Sequence, residues 1–312
     1  MNGVLVIDKP QGMTSHDVVN RVRRILGERA VGHLGTLDPA ATGVLPLVVG
    51  SFTRLAQFYT HSEKTYEGVI RFGFATDTYD ADGEPISTPQ NVTLNRSEVE
   101  ALAGQFLGTL EQMPPPFSAK KIGGVPAYKL ARKQREVRLK PVRVEIKEFA
   151  VLEVAGDRLQ FRAHVGSGTY LRSIAHDMGQ KLGCGAHLAA LRRTAVAEFG
   201  IEDARRLEDL ESAKQQGGDA LEQLFVHPRK LAPNLPSVTG TEENVAMIRT
   251  GRAVNLPEMS RAPLVKVFYG QRELVAIATR VAGTLFHAGI VLMRTAEPPS
   301  QPQEPISSQQ DA

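Results

Sequence analysis

The sequence predicts an α+β fold, in which helices flank a mixed, mostly antiparallel sheet and a small β-rich domain follows. Three observations support this fold class. Apolar and charged residues alternate on both sides of a turn at residues 156–157, which is typical of a hairpin with one buried face. Apolar residues recur at helical spacing between Val18 and Leu26. Short apolar runs begin again after the prolines of residues 228–236, which indicate a linker.

The predicted elements follow one another along the chain. Residues 4–7 form an apolar strand, and Thr14 or Ser15 can cap a helix that Gly27 ends. After a glycine-rich loop, the apolar run at 44–49 predicts a buried strand. Further along we expect a strand at 65–74, a helix capped by Asn95, a short helix at 128–136, two hairpin strands around 156–157, a helix through 174–182, a strand at 194–199 and an acidic helix over 207–224.

The length of the chain suggests two domains. We assign residues 1–230 to the first domain, with a basic insertion at about 118–141 that three consecutive prolines introduce. Residues 237–294 form the second domain, and the tail at 297–312, rich in Pro, Gln and Ser, is expected to be disordered. The second domain is predicted to contain a helix near 243–249 and apolar strands at 265–268, 274–278 and 285–293.

The composition is that of an ordinary globular protein, with 42% hydrophobic and 23% charged residues. Cys184 is the only cysteine, which excludes an internal disulfide and a cysteine-clustered zinc site. No basic and apolar leader opens the sequence, and no apolar run approaches the roughly 20 residues of a membrane span. We therefore expect a soluble, cytoplasmic protein without membrane contact.

Positive charge is concentrated in one basic block. The net charge of the chain is only +3, but residues 118–147 contain ten Lys or Arg and two Glu. Contact with a polyanion, nucleic acid above all, would explain such a block. A solvated helix face would explain it equally well, so composition alone leaves both explanations open.

The clearest candidate for chemistry is the stretch at residues 32–50, in which a polar loop precedes the apolar run. It holds His33 and Asp38, and its glycines let the backbone approach a ligand closely. Taken singly, however, Asp38 is more simply a residue of an Asp-Pro turn, and His33 a loop histidine. Tyr66 at a strand start and Arg172 near a helix start also have ordinary structural explanations.

Other classes of site lack the residues that they need. Gly166 and Gly168 do not complete a dinucleotide-binding fingerprint, and the sequence has no Gly-Lys-Ser/Thr phosphate loop. The aspartates at 77–82 resemble the start of a calcium loop, but no Glu stands at the closing position. The eight histidines are scattered, which gives a metal site weak support. We therefore expect neither a metal nor a cofactor.

Taken together, these motifs resemble the TruB family of pseudouridine synthases. Residues 32–45, Gly-His-Leu-Gly-Thr-Leu-Asp-Pro-Ala-Ala-Thr-Gly-Val-Leu, are similar to the family's catalytic motif nearly residue for residue. Residues 237–294 stand where the family carries a PUA RNA-binding domain. One departure is Val-Gly-Ser at 165–167, where relatives often have a Cys and sometimes a Lys. The other similar segments are Asp-Lys-Pro-Gln-Gly-Met-Thr-Ser at 8–15, Lys-Thr-Tyr at 64–66, Gly-Thr-Tyr-Leu-Arg at 168–172 and Leu-Arg-Arg-Thr at 191–194.

The resemblance implies a pseudouridine synthase catalytic domain that isomerises uridine to pseudouridine at position 55, in the T-loop of tRNA. It assigns to Asp38 the carboxylate that assists cleavage and re-formation of the bond at the sugar carbon. Arg172 is the implied cationic partner of that carboxylate. Tyr66 is implied to stack on the flipped base and to accept the proton from its carbon 5.

Further residues are implied to bind the tRNA. His33 would occupy the space that the flipped base vacates, Tyr170 would orient the site, and Leu191 would line the pocket. The resemblance also favours RNA as the partner of the basic block, and it implies a monomer that needs no metal, cofactor or protein partner. The implied RNA contacts are Lys9, Lys64, Lys120, Lys121, Lys129, Arg132 and Lys133.

Two other functions remain open. The basic block and the second domain would also suit a tRNA-binding or tRNA-folding module without catalysis. A guide-RNA-dependent relative of the enzyme would carry the same motifs but rely on partner proteins. Release of tritium from 5-tritiated uridine in tRNA would exclude the first alternative, and activity of the purified chain on a naked tRNA transcript would argue against the second.

Overall fold

The structure is a computed structural model, and it describes residues 1–117, 121–122, 125–126 and 139–292. The described residues form two compact units, Met1–Pro233 and a second unit that begins at Asn234. The helix expected at 128–136 and the tail at 297–312 lie outside the described residues. Within the described part, no helix is long and apolar enough to cross a membrane.

The first unit combines helices with many strands. Its α-helices are α1 (Ser15–Leu26), α2 (Arg96–Gly104), α3 (Leu171–Lys181) and α4 (Leu207–Gln216). Its strands are β1 (Gly3–Lys9), β2 (Val31–His33), β3 (Thr42–Val49), β4 (Lys64–Phe72), β5 (Gly108–Gln112), β6 (Lys121–Ile122), β7 (Val125–Pro126), β8 (Val142–Ala155), β9 (Arg158–Val165), β10 (Ala186–Val196) and β11 (Phe199–Gly200).

One sheet runs through this unit in the order β1-β3-β10-β4-β9-β8-β5, with β2 beside β3 and β11 beside β10. Its strand pairs are antiparallel except for β3 and β10, which are parallel. Helices α1 and α4 share a hydrophobic core with β1 and β3, and α2 and α3 share another with β4, β8 and β9. The predicted α+β class with a mostly antiparallel sheet is confirmed.

Helix α1 begins and ends where its sequence predicts. Of the two possible caps, Thr14 is the one used: its Oγ1 accepts a hydrogen bond from Asp17 N at 3.1 Å, and the Asp17 carboxylate accepts one from Thr14 N in return. Gly27 ends the helix in the left-handed conformation, with φ of 65°. The predicted hairpin is also present, because β8 and β9 pair around the turn at residues 156–157.

The strand predicted at 194–199 is wrong in its bounds. Strand β10 covers Ala186–Val196, and Ala197, with φ of 49°, turns the chain so that β11 pairs back onto β10. Its sequence, rich in Ala, Leu and Arg, favours a helix, but pairing with β3 on one side and β4 on the other overrides that preference.

The acidic helix predicted over 207–224 is also too long. Helix α4 stops at Gln216, because Gly217 and Gly218 both take positive φ, at 70° and 56°. A short 3-10 helix at Glu222–Leu224 follows. Since glycine adopts positive φ without a steric penalty, the pair of glycines ends the helix before the apolar pattern does.

The second unit is β-rich, as predicted. Helix α5 (Glu242–Arg249) lies where a helix was expected and is capped by Thr241. The unit's sheet has the order β12-β14-β15-β16-β13, and two of its strands, β12 and β13, were not predicted because they contain three and two residues. The strands are β12 (Ser237–Thr239), β13 (Val254–Asn255), β14 (Leu264–Tyr269), β15 (Glu273–Ala282) and β16 (Leu285–Val291).

Candidate active site

Asp38 lies in the loop that connects β2 to β3 in the first unit. Ala41 N donates to Asp38 O at 3.1 Å, so the Asp-Pro step does form a turn. Gly43, at the start of β3, has φ of 102°, and a Cβ there would lie 2.2 Å from Arg193 O. A glycine is therefore required for the parallel pairing of β3 with β10 that closes this loop.

The segment at residues 9–15 fixes both neighbours of Asp38. Ser15 Oγ accepts from Leu37 N at 2.8 Å and donates to Leu37 O at 3.1 Å. Gly12 N donates to Pro39 O at 2.8 Å, and Lys9 Nζ reaches the same oxygen at 3.2 Å. The similarity of this segment to a family motif thus has a physical basis: it holds the loop on either side of the carboxylate.

Arg193 holds the Asp38 loop, which connects β2 to β3, through hydrogen bonds to its backbone. Its side chain is fully buried, and it donates from Nε to Val44 O at 2.8 Å, from Nη1 to Thr36 O at 3.2 Å and from Nη2 to Gly35 O at 3.0 Å. These acceptors are carbonyl oxygens, and no carboxylate of the described residues forms an ion pair with Arg193. Its charge therefore leaves a positive field beneath the loop.

Arg172, the second residue of α3, brings distant parts of the chain to Asp38. Its Nε lies 2.9 Å from Asp38 Oδ2, and its Nη1 lies 3.3 Å from Asp80 Oδ2. Nη1 also donates to Thr78 O at 2.9 Å, and Nη2 donates to Phe117 O at 3.0 Å. Arg172 is 6% exposed, so these four acceptors replace water around its guanidinium.

The electrostatics of the pair follow from its surroundings. Partial burial of the Asp38 carboxyl raises its pKa above the usual value; the Arg172 cation opposes this shift and the Asp80 carboxylate adds to it. Two carboxylates share one guanidinium, and the charge of Lys9 also opposes the rise in the pKa of Asp38. The ionised form of Asp38 is thus held in a site that makes it more basic than an exposed aspartate.

A pocket of about 310 Å³ opens above the ion pair. Asp38 lies at its wall with a half-exposed side chain, and Tyr66, which is 7% exposed, also lines it. Such a volume lies at the lower end of the range for small-ligand pockets, and it suits a single nucleoside. Other lining residues are Gly35, Thr36, Leu37, Thr60, Lys64, Ser167, Gly168, Thr169, Tyr170, Leu171, Arg172 and Leu191.

The expected site residues divide into those that line the pocket, those that lie outside its lining and those that the structure does not describe. Asp38, Tyr66 and Arg172 line one pocket, together with Lys64, Tyr170 and Leu191. Lys64 Nζ donates to Ser62 O at 2.7 Å, and burial, with the charge of Arg193, lowers the pKa of Lys64 to about 8.

Lys9 and His33 lie outside the lining of this pocket. Lys9 is fully buried and its Nζ donates to Pro10 O, Met13 O and Pro39 O, so it braces the loop and does not face a ligand. Burial lowers the pKa of Lys9 to about 8, although the charge of Asp38 opposes the shift. His33 is half-buried outside the pocket lining; burial lowers its pKa, and its Nδ1 accepts from Gly35 N at 3.3 Å.

The expected contacts from the basic block cannot be placed in the same way. Lys120, Lys129, Arg132 and Lys133 lie outside the described residues. Lys121 belongs to β6, of which the backbone alone is described.

Sequence reasoning missed Asp80, Gln112 and Arg193. Asp80 belongs to the polar turn that was considered only as a calcium loop, and Gln112 stands just before the three prolines. Only Arg193 carried a signal, since it belongs to the Leu-Arg-Arg-Thr segment. Among the described residues no cluster of His, Cys, Asp or Glu could hold a metal ion.

Comparisons with known proteins cover most of the first unit. Residues 23–171 match the model of the TruB family pseudouridylate synthase N-terminal domain. Residues 172–228 match the tRNA pseudouridylate synthase B C-terminal domain. Both matched regions end before residue 234, where the second unit begins.

Individual relatives extend the similarity over nearly the whole chain. A tRNA pseudouridine synthase B from Solibacter usitatus is 50% identical over 295 residues, which cover 94% of this chain and 100% of the relative. The protein of the same name from Bacillus cytotoxicus is 40% identical, covering 89% of this chain and 92% of the relative.

Solved structures show similarity of fold as well. A chain in an H/ACA RNP bound to a substrate RNA containing 2'-deoxyuridine has a TM-score of 0.68 and 25% identity, covering 94% of this chain and 85% of that one. A chain in a Cbf5-Nop10-Gar1 complex has a TM-score of 0.68 and 26% identity, covering 93% of this chain and 85% of that one.

Proposed function

This chain belongs to the TruB family of pseudouridylate synthases and converts uridine to pseudouridine in tRNA; we propose that it acts on uridine 55 of the T-loop and that Asp38 carries the chemistry. The observation that supports this assignment most is the 2.9 Å contact between Arg172 Nε and Asp38 Oδ2 at the wall of a nucleoside-sized pocket. Asp38, Tyr66 and Arg172 come from three separate segments, yet they line that one pocket.

The reaction is an isomerisation, and its atoms balance without a donor or an oxidant. The bond between the sugar C1′ and N1 of uracil breaks, the base rotates, and a bond forms between C1′ and C5. The proton on C5 is removed, and N1 ends with a proton. Protein groups must therefore stabilise the sugar while it is free of the base and must accept the proton from C5.

Asp38 is suited to the first task. A carboxylate beside C1′ assists departure of the base, either by adding to that carbon or by removing the proton from C2′. Both routes need the ionised form, and Arg172 keeps it available by pairing with it. The raised pKa of Asp38 makes the carboxylate a stronger base and nucleophile than an exposed aspartate.

Tyr66 and Leu191 are suited to holding the base. A uridine inside an RNA loop must leave its stack before it can react, which costs a few kcal/mol. The ring of Tyr66 and the side chain of Leu191 offer an apolar surface in the pocket that compensates this loss. In our proposal Tyr66 also accepts the proton from C5 after the base has rotated.

Positive charge around the pocket favours RNA. Lys64 is at the pocket and Arg193 lies beneath the loop, while the basic block contributes a larger positive region in sequence. We assign the catalytic domain to residues 1–230 and a PUA-like RNA-binding domain to 237–294. The active groups all come from one chain, and we propose that the enzyme acts as a monomer without a protein partner. As a tRNA-modifying enzyme, it is proposed to act in the cytoplasm.

The test compares Asp38→Asn with Asp82→Asn, in which an exposed carboxylate of a neighbouring turn is changed in the same way. With tRNA tritiated at C5 of uridine, Asp38→Asn should lower tritium release by about 10³-fold or more, because it removes the reacting group. Its tRNA affinity should stay within about threefold of the wild type, and Asp82→Asn should behave as the wild type. Turnover by Asp38→Asn close to the wild-type rate would reject the assignment.

Two further measurements test the target and the partners. A transcript in which uridine 55 is replaced by cytidine should yield no pseudouridine, whereas modification elsewhere would contradict the assigned position. The purified chain alone should modify a naked transcript and should sediment as a monomer. A requirement for a guide RNA or a second protein would instead favour the guide-dependent alternative.

A further inference from the structure

Helix α3 carries Arg172 on its first turn but has no side-chain cap of its own. The capping position is occupied by Tyr170, whose side chain makes no hydrogen bond to the helix start. Helix starts leave backbone N–H groups without partners, and a Ser, Thr, Asp or Asn side chain normally supplies one acceptor there. The position of Arg172 therefore depends on groups from outside the helix.

Gln112, the last residue of β5, supplies hydrogen-bonding groups to the start of helix α3. Its Oε1 accepts from Tyr170 N at 2.8 Å, and its Nε2 donates to Tyr170 O at 3.0 Å. The residue is 1% exposed, so water does not substitute for these bonds. A carboxamide offers a neutral acceptor and a neutral donor side by side, which matches both backbone groups of one residue.

The chain that follows Gln112 contacts the same helix start. Ser173 Oγ donates to Met113 O at 2.7 Å, and Arg172 Nη2 donates to Phe117 O at 3.0 Å. The prolines at 114–116 restrict the backbone between these two points. Residues 112–117 thus contact the start of α3 at three residues, 170, 172 and 173.

We propose that Gln112 is a positioning residue for the isomerisation: by fixing the backbone of Tyr170, its carboxamide keeps Arg172 Nε against the Asp38 carboxylate. The proposal rests on the proposed function of Asp38. Gln112 itself is outside the pocket lining and touches no reacting atom. It acts through the helix start, so its loss should impair chemistry more than binding of tRNA.

The decisive experiment compares Gln112→Leu with Gln105→Leu. Gln105 Oε1 accepts from Lys181 Nζ at 3.0 Å, so its change removes an exposed side-chain amide contact at the opposite end of the same helix. The single-turnover rate of pseudouridine formation should fall by about 10- to 100-fold in Gln112→Leu. A small displacement of a positioned group such as Arg172 lowers a reaction rate by this factor. The Kd for tRNA should change by less than about threefold, and Gln105→Leu should match the wild type.

The pH profile separates positioning from a general loss of structure. The acidic limb of the profile is the fall in the single-turnover rate at low pH, where Asp38 takes up a proton. Because Arg172 holds the pKa of Asp38 down, a loosened Arg172 in Gln112→Leu should move this limb to higher pH. Lower thermal stability with an unchanged rate and an unchanged limb would overturn the proposal. In Gln112→Glu the acceptor for Tyr170 N remains and the donor to Tyr170 O is lost, so an intermediate rate is expected.

The two proposals fail in different ways. If Asp38→Asn is inactive while Gln112→Leu and Gln112→Glu match Gln105→Leu in rate and profile, the role of Gln112 is rejected and that of Asp38 stands. If Asp38→Asn keeps the wild-type rate, the proposed function fails first. Should Gln112→Leu not fold, Gln112→Glu decides: an unchanged rate overturns the proposal, and a reduced rate with a displaced limb supports it.

Discussion

Asp38 and Asp80 are bound to the same guanidinium, that of Arg172, at 2.9 Å from its Nε and 3.3 Å from its Nη1. This shared guanidinium gives Asp80 two opposite effects on Asp38. Asp80 anchors the cation that pairs with Asp38, but its own negative charge raises the pKa of Asp38. The activity at a given pH therefore depends on the balance between positioning and charge.

Replacing Asp80 by Asn should separate these effects. The plateau of the single-turnover rate should fall by about tenfold or more, because Arg172 loses one of its two carboxylate anchors. The position of the acidic limb then reports the balance: loss of the Asp80 anion moves it to lower pH, and loosening of Arg172 moves it to higher pH. Asp82→Asn serves as the control, and an unchanged plateau for Asp80→Asn would contradict the anchoring role.

Asp38 should cost the protein stability at neutral pH. A carboxyl whose pKa is raised by folding binds its proton more tightly in the folded state, so its contribution to the free energy of unfolding decreases as pH rises through the raised pKa. Asp38→Asn should therefore melt at the same temperature as the wild type or higher at pH 7. The difference should shrink as the pH falls through the raised pKa and the wild-type carboxyl also becomes neutral; a lower melting temperature at pH 7 would contradict this.

Ser15→Ala should weaken the loop that presents Asp38. Ser15 Oγ exchanges two hydrogen bonds with the backbone of Leu37, and an alanine leaves both backbone groups without a partner. We expect urea unfolding to show a loss of about 1–3 kcal/mol, together with a lower single-turnover rate. Thr53→Val, which removes one local bond to Gly50 O, is the matched control and should leave the rate unchanged.

Lys64 should make the stability of the protein depend on alkaline pH. Its folded pKa, about 8, lies below the roughly 10.4 of an ordinary lysine, so the unfolded chain binds this proton more tightly. The free energy of unfolding contributed by Lys64 should therefore rise between pH 8 and about 10. Urea unfolding at pH 7.5 and 9.5 should show a larger gain for the wild type and for the control Lys181→Gln than for Lys64→Gln. Equal gains in all three proteins would contradict the shift.

The sequence was sufficient for features that depend on neighbouring residues. Thr14 caps α1 and Gly27 ends it, because a hydroxyl before a helix and a glycine after it act within one turn. The motif resemblance pointed to Asp38 and Arg172 as partners, and the structure places them in contact. The extent of β10 could not be predicted, since two strands distant in sequence impose it.

The residues that hold the Asp38 loop and the start of α3 in place could not be predicted from neighbouring residues. Gln112 acts on a backbone 58 positions away, and Arg193 acts on one 158 positions away. Polar residues of these types are usually exposed, and nothing in their local sequence indicates burial. Lys9 illustrates the opposite error: a lysine in a motif was expected to bind RNA, but carbonyl oxygens surround its ammonium.

The anchoring of the Asp38 loop by Arg193 also determines when activity can arise during synthesis. The carbonyl oxygens of Gly35 and Thr36 emerge from the ribosome long before the guanidinium that binds them, and β10 must join the sheet to bring it there. Contacts between such distant residues form slowly. A ribosome-bound fragment that stops short of residue 193 would therefore display the complete loop sequence and still leave tRNA unmodified.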